Sequence, residues 1–369
     1  MLIDLIAGAR PNFMKIAPII DAIHDAQKNG NDIQYRLIHT GQHYDKNMSD
    51  NFFQQLGIPE PHHNLGAGGG SQAEQTASIM IGYEKHLIDK RSDLCLVVGD
   101  VTSTMACAIT AQKMHVKVAH VEAGIRSGDW TMPEEINRMV TDSITNYFFT
   151  TSYVANKNLI NFGIEEDYIF FVGNTMIDTL LKNRPRFQAP AIWHELQLQE
   201  KNYFVMTLHR PANVDEESRF KLLLEEILTN TQNLPIIFPV HPRTAKIINK
   251  VLDIDAAFDT SHLHMVDPLG YLEFNYLVER AKAVITDSGG ITEETTVLGI
   301  PCMTLRDNTE RPETITMGTN QLLGTNPDAI KPAMELLFSG NWKKGKVPEL
   351  WDGKTAERIV NVLCKLGGQ

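Results

Sequence analysis

Residues 282–294, KAVITDSGGITEE, decide the fold. A β-branched apolar run ends at Thr286, Ser288-Gly289-Gly290 makes a tight turn, and a helical pattern opens directly behind it. That is one strand-turn-helix unit, and similar units recur in both directions. PCMTL follows at 301–305, and HLHMV at 262–266, PIIFPVH at 235–241 and NYFVMTLH at 202–209 precede it. A second series fills the first half: LIDLIAG (2–8), QYRLIHT (34–40), DLCLVVGD (93–100), VKVAHVEAG (116–124) and NYFFTTS (146–152). Such runs, nearly unbroken in Val, Ile, Leu and Phe, belong to strands buried on both faces, and the helical patterns between them predict parallel sheets covered by helices. The stretch 173–201 carries Pro185 and Pro190 and no strand pattern, so the junction falls there. The expectation is an α/β protein of two Rossmann-like doubly wound domains facing across a cleft.

Length agrees, since 369 residues at ~150 per domain give two domains. Subtracting 45 acidic from 34 basic side chains leaves −11, with no Lys/Arg block, which argues against nucleic acid or acidic lipid as a partner. Any phosphate must therefore be held by a few local groups. No apolar run approaches the ~18 residues a membrane span needs, and MLIDLIAGARP lacks the features of a signal peptide, so a cytoplasmic location is expected. Cys95, Cys107, Cys302 and Cys364 are scattered without a CxxC pair, which predicts neither disulfide nor metal site.

Ligands of open α/β sheets sit beyond the carboxyl ends of the strands. At 286–290 the glycines admit a ligand to the backbone N–H groups of the helix start, Ser288 is placed to cap it, and a diphosphate fits; a tight turn without a ligand reads equally well. Glu293 and Glu294 either complement the helix dipole or accept from ribose hydroxyls. No GxGxxG follows a strand and no P-loop occurs, so bound NAD, ATP hydrolysis and any cofactor are disfavoured. Asp253-Ile254-Asp255 has the DxD spacing of metal-dependent transferases but reads as a solvated helix end. Arg10 and Lys15 flank the first helix start, as a phosphate clamp or as solvated cations; Asp100, Glu122 and Glu134 follow on neighbouring elements, and His209-Arg210 stand in the other half.

As an ordered set, GARPNFMKIAPI, TGQHYDKNMSD with Phe52-Phe53 after Asn51, VVGDVTSTMACAI, HVEAGIRSGDWTMPEEINR, TLHRPANVD, FPVHPRT and TDSGGITEETTVLGIPCMTLRDNTERPETITMGTNQLLG resemble the non-hydrolysing UDP-N-acetylglucosamine 2-epimerases from about residue 3 to 325. The resemblance implies the GT-B fold, with domains 1–172, completed by a C-terminal helix at 354–369, and 173–353 as the UDP-binding half. It implies nucleotide contacts at Arg10, His209, Phe274, Ser288, Gly289, Gly290, Glu294 and Arg311, catalytic carboxylates at Asp100, Glu122 and Glu134 with His209 beside them, and polar support from Lys15 and Arg138. Bacterial members bind a second UDP-sugar as activator through positions matching Gln42, His43, Arg210 and His241, and members are commonly homodimers. The chain departs from the family at Pro211-Ala212, at Leu269, and at Tyr44-Asp45-Lys46.

The implied reaction converts UDP-N-acetylglucosamine to UDP-N-acetylmannosamine by eliminating and re-adding UDP, as a precursor for surface polysaccharide. Carbon 2 carries a barely acidic hydrogen. Expelling UDP first gives a glucal, to which UDP returns with a proton on the opposite face. Paired carboxylates whose surroundings split their pKa values fit that need, although residue types alone do not say which takes and which returns the proton. The rivals are a hydrolysing epimerase, an epimerase for a diacetamido uronate sugar, a GT-B UDP-sugar glycosyltransferase, and a silent nucleotide-sugar sensor.

Overall fold

The computed structural model describes residues 1–41, 55–210, 213, 217–240, 245, 248 and 259–368, with the side chains of Arg10 and Glu217 outside the description. Two compact units result: Met1–Lys182 with Glu349–Gln369, and Asn183–Pro348.

Unit 1 holds β1 (Leu2–Ala7), β2 (Gln34–His39), β3 (His63–Asn64), β4 (Leu94–Val98), β5 (Lys117–Val121), β6 (Tyr147–Thr150) and β7 (Ile169–Phe171) in the order β3-β2-β1-β4-β5-β6-β7. Every pairing is parallel. β4 is buried at all five residues, as a run of Leu, Cys and Val predicts for a central strand. Its helices start on local signals: Ser71 and Glu74 form a capping box before Gln72–Asp89, and Pro133 opens Pro133–Ile144.

Unit 2 holds β8 (Phe204–Thr207), β9 (Ile236–Pro239), β10 (Leu263–Val266), β11 (Ala283–Thr286), β12 (Cys302–Thr304) and β13 (Asn320–Leu322), ordered β10-β9-β8-β11-β12-β13 and again all parallel. Phe204, Met206, Phe238, Ile285 and Met303 make one side of its core with Leu223, Leu224 and Ile227 of helix Glu217–Asn230. All ten strands expected from the sequence are present. β3, β7 and β13 are additional, and each is a short edge strand.

The sequence put the junctions at 172/173 and 353/354; the units part after Lys182 and rejoin at Glu349. The difference has a cause in helix Thr175–Asn183, whose Asp178 accepts from Thr355 N at 3.1 Å and Ala356 N at 2.7 Å at the start of helix Thr355–Gly367. Trp351 Nε1 donates to Thr151 O at 3.0 Å. Gly173 (φ +103°) is required there, because a Cβ would stand 2.1 Å from Leu350 O. Among the described residues no helix is long and apolar enough to cross a membrane.

Candidate active site

In each sheet the strand order reverses between two neighbours, β1 and β4 in unit 1, β8 and β11 in unit 2. The carboxyl ends of such a pair are where open α/β sheets bind ligands.

In unit 1 the turn after β1 enters helix Arg10–Lys28. Asn12 Oδ1 accepts from Gly8 N at 3.1 Å and Ala9 N at 2.9 Å, while its Nδ2 donates to Val98 O at 3.1 Å, tying the β1 turn to the end of β4. One helical turn later, Lys15 Nζ donates to Glu122 Oε2 at 2.7 Å. Glu122 has a left-handed backbone (φ +72°), uncommon for a side chain of this size and characteristic of functional turns. Gly99, also left-handed, leaves room for this pair, since a Cβ on it would lie 3.0 Å from Lys15 Nζ.

Asp100, next in the β4 turn, is gripped by Arg138 Nη2, and Asn137 Nδ2 donates to its backbone oxygen at 2.8 Å. Arg138 Nη1 donates to Glu135 Oε2 at 2.7 Å. Burial pushes the Glu135 carboxyl up, but hydrogen bonds from Ser127, Arg138 and Gly128 outweigh it and hold the group below the ordinary value. Glu134, its neighbour on the first helical turn, is half-buried and makes no ion pair among the described residues. The structure thus brings together Lys15 with Glu122 and Asp100 with Arg138.

In unit 2, Asp287 follows β11 and is fully buried, with Oδ1 2.7 Å from His209 Nδ1. It also accepts from His209 N, Arg210 N at 2.9 Å and Asn213 Nδ2 at 3.0 Å. Burial pushes this carboxyl up, and His209, Asn213 and the Arg210 amide together bring it below the ordinary value. His209 is thereby aimed from the end of β8 with its side chain 63% exposed.

Ser288 occupies the N-cap position of helix Gly289–Leu298 but makes no capping bond, contrary to the expectation. Its N–H donates instead to Thr286 Oγ1 at 3.0 Å, and Thr286 Oγ1 lies 2.6 Å from Thr207 Oγ1. Among the described residues no side chain caps the first turn of that helix, and no acid stands in that turn, so the helix start favours an anion. Glu293 pairs with Arg311 Nε, both buried. Glu294 accepts from Tyr271 Oη at 2.9 Å, and burial, aided by the Glu293 charge, pushes it up to about 7. Phe274 packs against the unit 2 core beside Leu277 and Val278. Arg210 lies 3.9 Å from Glu310. The Arg10 side chain, Gln42, His43, His241, Pro211-Ala212, Tyr44-Asp45-Lys46 and Asp253-Ile254-Asp255 lie outside the described residues.

Sequence reasoning missed Asn12, Glu135 and Asp287 as supports. The Pro11-Asn12 helix start and the three-residue spacing of Glu135 and Arg138 were the available signals. Among the described residues no group of three or more His, Cys, Asp or Glu stands ready to hold a metal ion.

The family model described as UDP-N-acetylglucosamine 2-epimerase matches residues 25–364. The UDP-N-acetylglucosamine 2-epimerase of Methanocaldococcus jannaschii is 40% identical over 98% of this chain and 99% of its own. Its crystal structure in complex with UDP-GlcNAc and UDP covers 99% of this chain and 100% of its own at a TM-score of 0.86. A Pseudomonas aeruginosa relative, UDP-2,3-diacetamido-2,3-dideoxy-D-glucuronate 2-epimerase, is 38% identical over 99% of this chain and 100% of its own. Two parallel α/β units of this kind are those of the GT-B fold, and with a family match running through nearly the whole sequence, the chain belongs to the UDP-N-acetylglucosamine 2-epimerase family.

Proposed function

We propose that the protein interconverts UDP-N-acetylglucosamine and UDP-N-acetylmannosamine by elimination and re-addition of UDP, without hydrolysis. In the forward step a carboxylate takes the carbon 2 proton and the carbon 1–oxygen electron pair leaves with UDP, giving 2-acetamidoglucal. UDP then adds back to carbon 1 while a carboxylic acid returns a proton to the other face of carbon 2. The amides of Gly289 and Gly290, with His209 and Arg311, stabilise the departing diphosphate, and the helix start is suited to its charge. Glu294 and Phe274 belong to the nucleoside side of the same site, with Arg10 and Lys15 as further cations.

The observation that carries this reading is the pair of carboxylates after adjacent strands. Asp100 is 30% exposed and Glu122 only 4% exposed, and each has its own cation. A proton removal on one face of carbon 2 and a return on the other needs two carboxyl groups, and these two stand after neighbouring strands. Glu134 is the third carboxyl of the set. We read the product as a precursor for surface polysaccharide, made by a cytoplasmic homodimer.

Proton NMR with UDP-N-acetylglucosamine in deuterium oxide, with neither NAD nor added metal, tests this. UDP-N-acetylmannosamine bearing deuterium at carbon 2 is the expected outcome; free N-acetylmannosamine with UDP would mean a hydrolysing enzyme. The Pseudomonas relative supports a second reading, the same chemistry on a 2,3-diacetamido uronate. Faster turnover of that UDP-sugar than of UDP-N-acetylglucosamine would select it.

A further inference from the structure

Behind the unit 1 carboxylates lies a buried polar pair that the elimination chemistry does not itself consume. His120 on β5 and Asp142 on helix Pro133–Ile144 are both fully buried, with Nδ1 2.7 Å from Oδ1. His120 Nε2 stands 2.8 Å from Gly99 O, a carbonyl oxygen that can only accept, so Nε2 carries hydrogen and donates. Asp142 Oδ2 accepts from Gly124 N at 3.0 Å and Arg126 Nη1 at 2.6 Å. Burial pushes the Asp142 carboxyl up, and His120 and Arg126 more than offset it. A buried pair of this kind adds little stability over well-packed apolar residues, because desolvation cancels most of the attraction.

What the pair connects gives it a purpose. Gly99 (φ +67°) leads into Asp100, while Glu122 (φ +72°) and Gly124 (φ +77°) form the next turn. Backbone of this kind persists at non-glycine positions only where the surroundings over-determine it. His120 reaches the first turn at Gly99 O, and Asp142 reaches the second at Gly124 N. The helix that carries Asp142 also holds Asp100 through Asn137 and Arg138.

We propose that His120 and Asp142 are positioning residues that fix the Asp100 turn and the Glu122 turn at one separation, with the His120 to Gly99 hydrogen bond as the working link. This rests on the reading of Asp100 and Glu122 as the proton-transfer groups. With the separation fixed, the glucal meets an acid as soon as it forms. With it loose, proton return is late and the glucal escapes.

Two substitutions separate the link from mere packing. In His120→Gln the amide nitrogen takes the place of Nε2 and still donates to Gly99 O. In His120→Asn it takes the place of Nδ1, keeping the contact with Asp142 and losing Gly99. His120→Asn is expected to lose ~100-fold in kcat through misplacement, with KM and UDP affinity within about threefold of wild type, and to release 2-acetamidoglucal and UDP visible by NMR. His120→Gln is expected to stay within about tenfold of wild type and to release little glucal. Equal losses in both variants, tracking their melting temperatures, would overturn the proposal, as would an unimpaired His120→Asn enzyme. If neither His120 variant folds, Asp142→Asn carries the test: a drop of about tenfold in kcat at unchanged KM, with glucal released, is expected, and unchanged kcat overturns the link. A wild-type protein that binds UDP-sugar but exchanges no carbon 2 hydrogen would overturn the proposed function instead.

Discussion

In both sheets the strand just past the reversal of order leads into an aspartate, Asp100 after β4 and Asp287 after β11, and the two are used in opposite ways. Asp100 remains partly exposed in the grip of Arg138, while the backbone around it is closed by Asn12 and by the bonds of Gly99. Asp287 is fully buried under His209, Arg210 and Asn213, and next to it the start of helix Gly289–Leu298 is left without a side-chain cap. The turn after β4 thus leaves its aspartate partly open beside an arginine, whereas the turn after β11 buries its aspartate beneath its neighbours' N–H groups. One topology therefore sets the same residue type in two ways, according to which neighbouring groups reach its carboxylate.

The largest effect should come from uncovering a hidden carboxylate. Arg311→Met leaves Glu293 buried without its cation, and a loss of ~3–5 kcal/mol in denaturant unfolding is expected. Removing both charges, Glu293→Met with Arg311→Met, should recover most of that stability but not the UDP affinity lost with Arg311. A single variant as stable as wild type would show that Glu293 does not depend on Arg311, and the contrast between the units would fail there.

The carboxylates of unit 1 should behave the other way. Glu122→Gln or Asp100→Asn is expected to cut kcat ~100-fold or more while UDP binding is retained, because a proton-transfer group acts only on the reacting centre. Turnover and UDP titration on the same preparation check this. Parallel loss of binding and turnover would make these residues nucleotide ligands and erase the division of labour.

Much of that division was legible in the sequence, and the physical reason is burial. The ten strands that lie inside the sheets or carry long apolar runs could be read directly. β3 is only His63-Asn64, β7 and β13 are three residues each at sheet edges, and edge strands need no continuous apolar run. Glycine, aspartate and serine after strands marked the strand-to-helix turns of both units. Their supports were not legible: a sequence does not say which polar side chain of a helix points inward, so Glu135 and Asp142 look like any surface acid until the helix is packed. Glu134 and Glu135, neighbours in sequence, part company for this reason alone.

A smaller, pH-dependent effect tests the hidden side again. Glu294, raised to about 7 mainly by burial, folds more readily as the neutral acid. Because its folded-state pKa lies above the unfolded one, that stability is complete below the ordinary glutamate pKa and is lost as pH rises through about 7. Glu294→Gln, neutral at every pH, should match wild type near pH 4 and exceed it at pH 8 by on the order of 1–3 kcal/mol. Unfolding curves at the two pH values decide it, and a difference independent of pH would refute the cause assigned here.

The smallest effect compares two serines at helix starts. Ser71 Oγ accepts from Glu74 N at 3.3 Å and Glu74 Oε2 accepts from Ser71 N at 2.8 Å, so Ser71→Ala should cost ~1 kcal/mol of stability with no change in UDP affinity. Ser288 makes no such bond, so Ser288→Ala should leave stability within ~0.5 kcal/mol while weakening UDP about fivefold, the worth of one hydrogen bond. The serine that does nothing for the fold is the one available to a ligand. If Ser288→Ala instead destabilises as much as Ser71→Ala and leaves UDP affinity unchanged, the helix start of unit 2 is capped after all, and its amides are not offered to a phosphate.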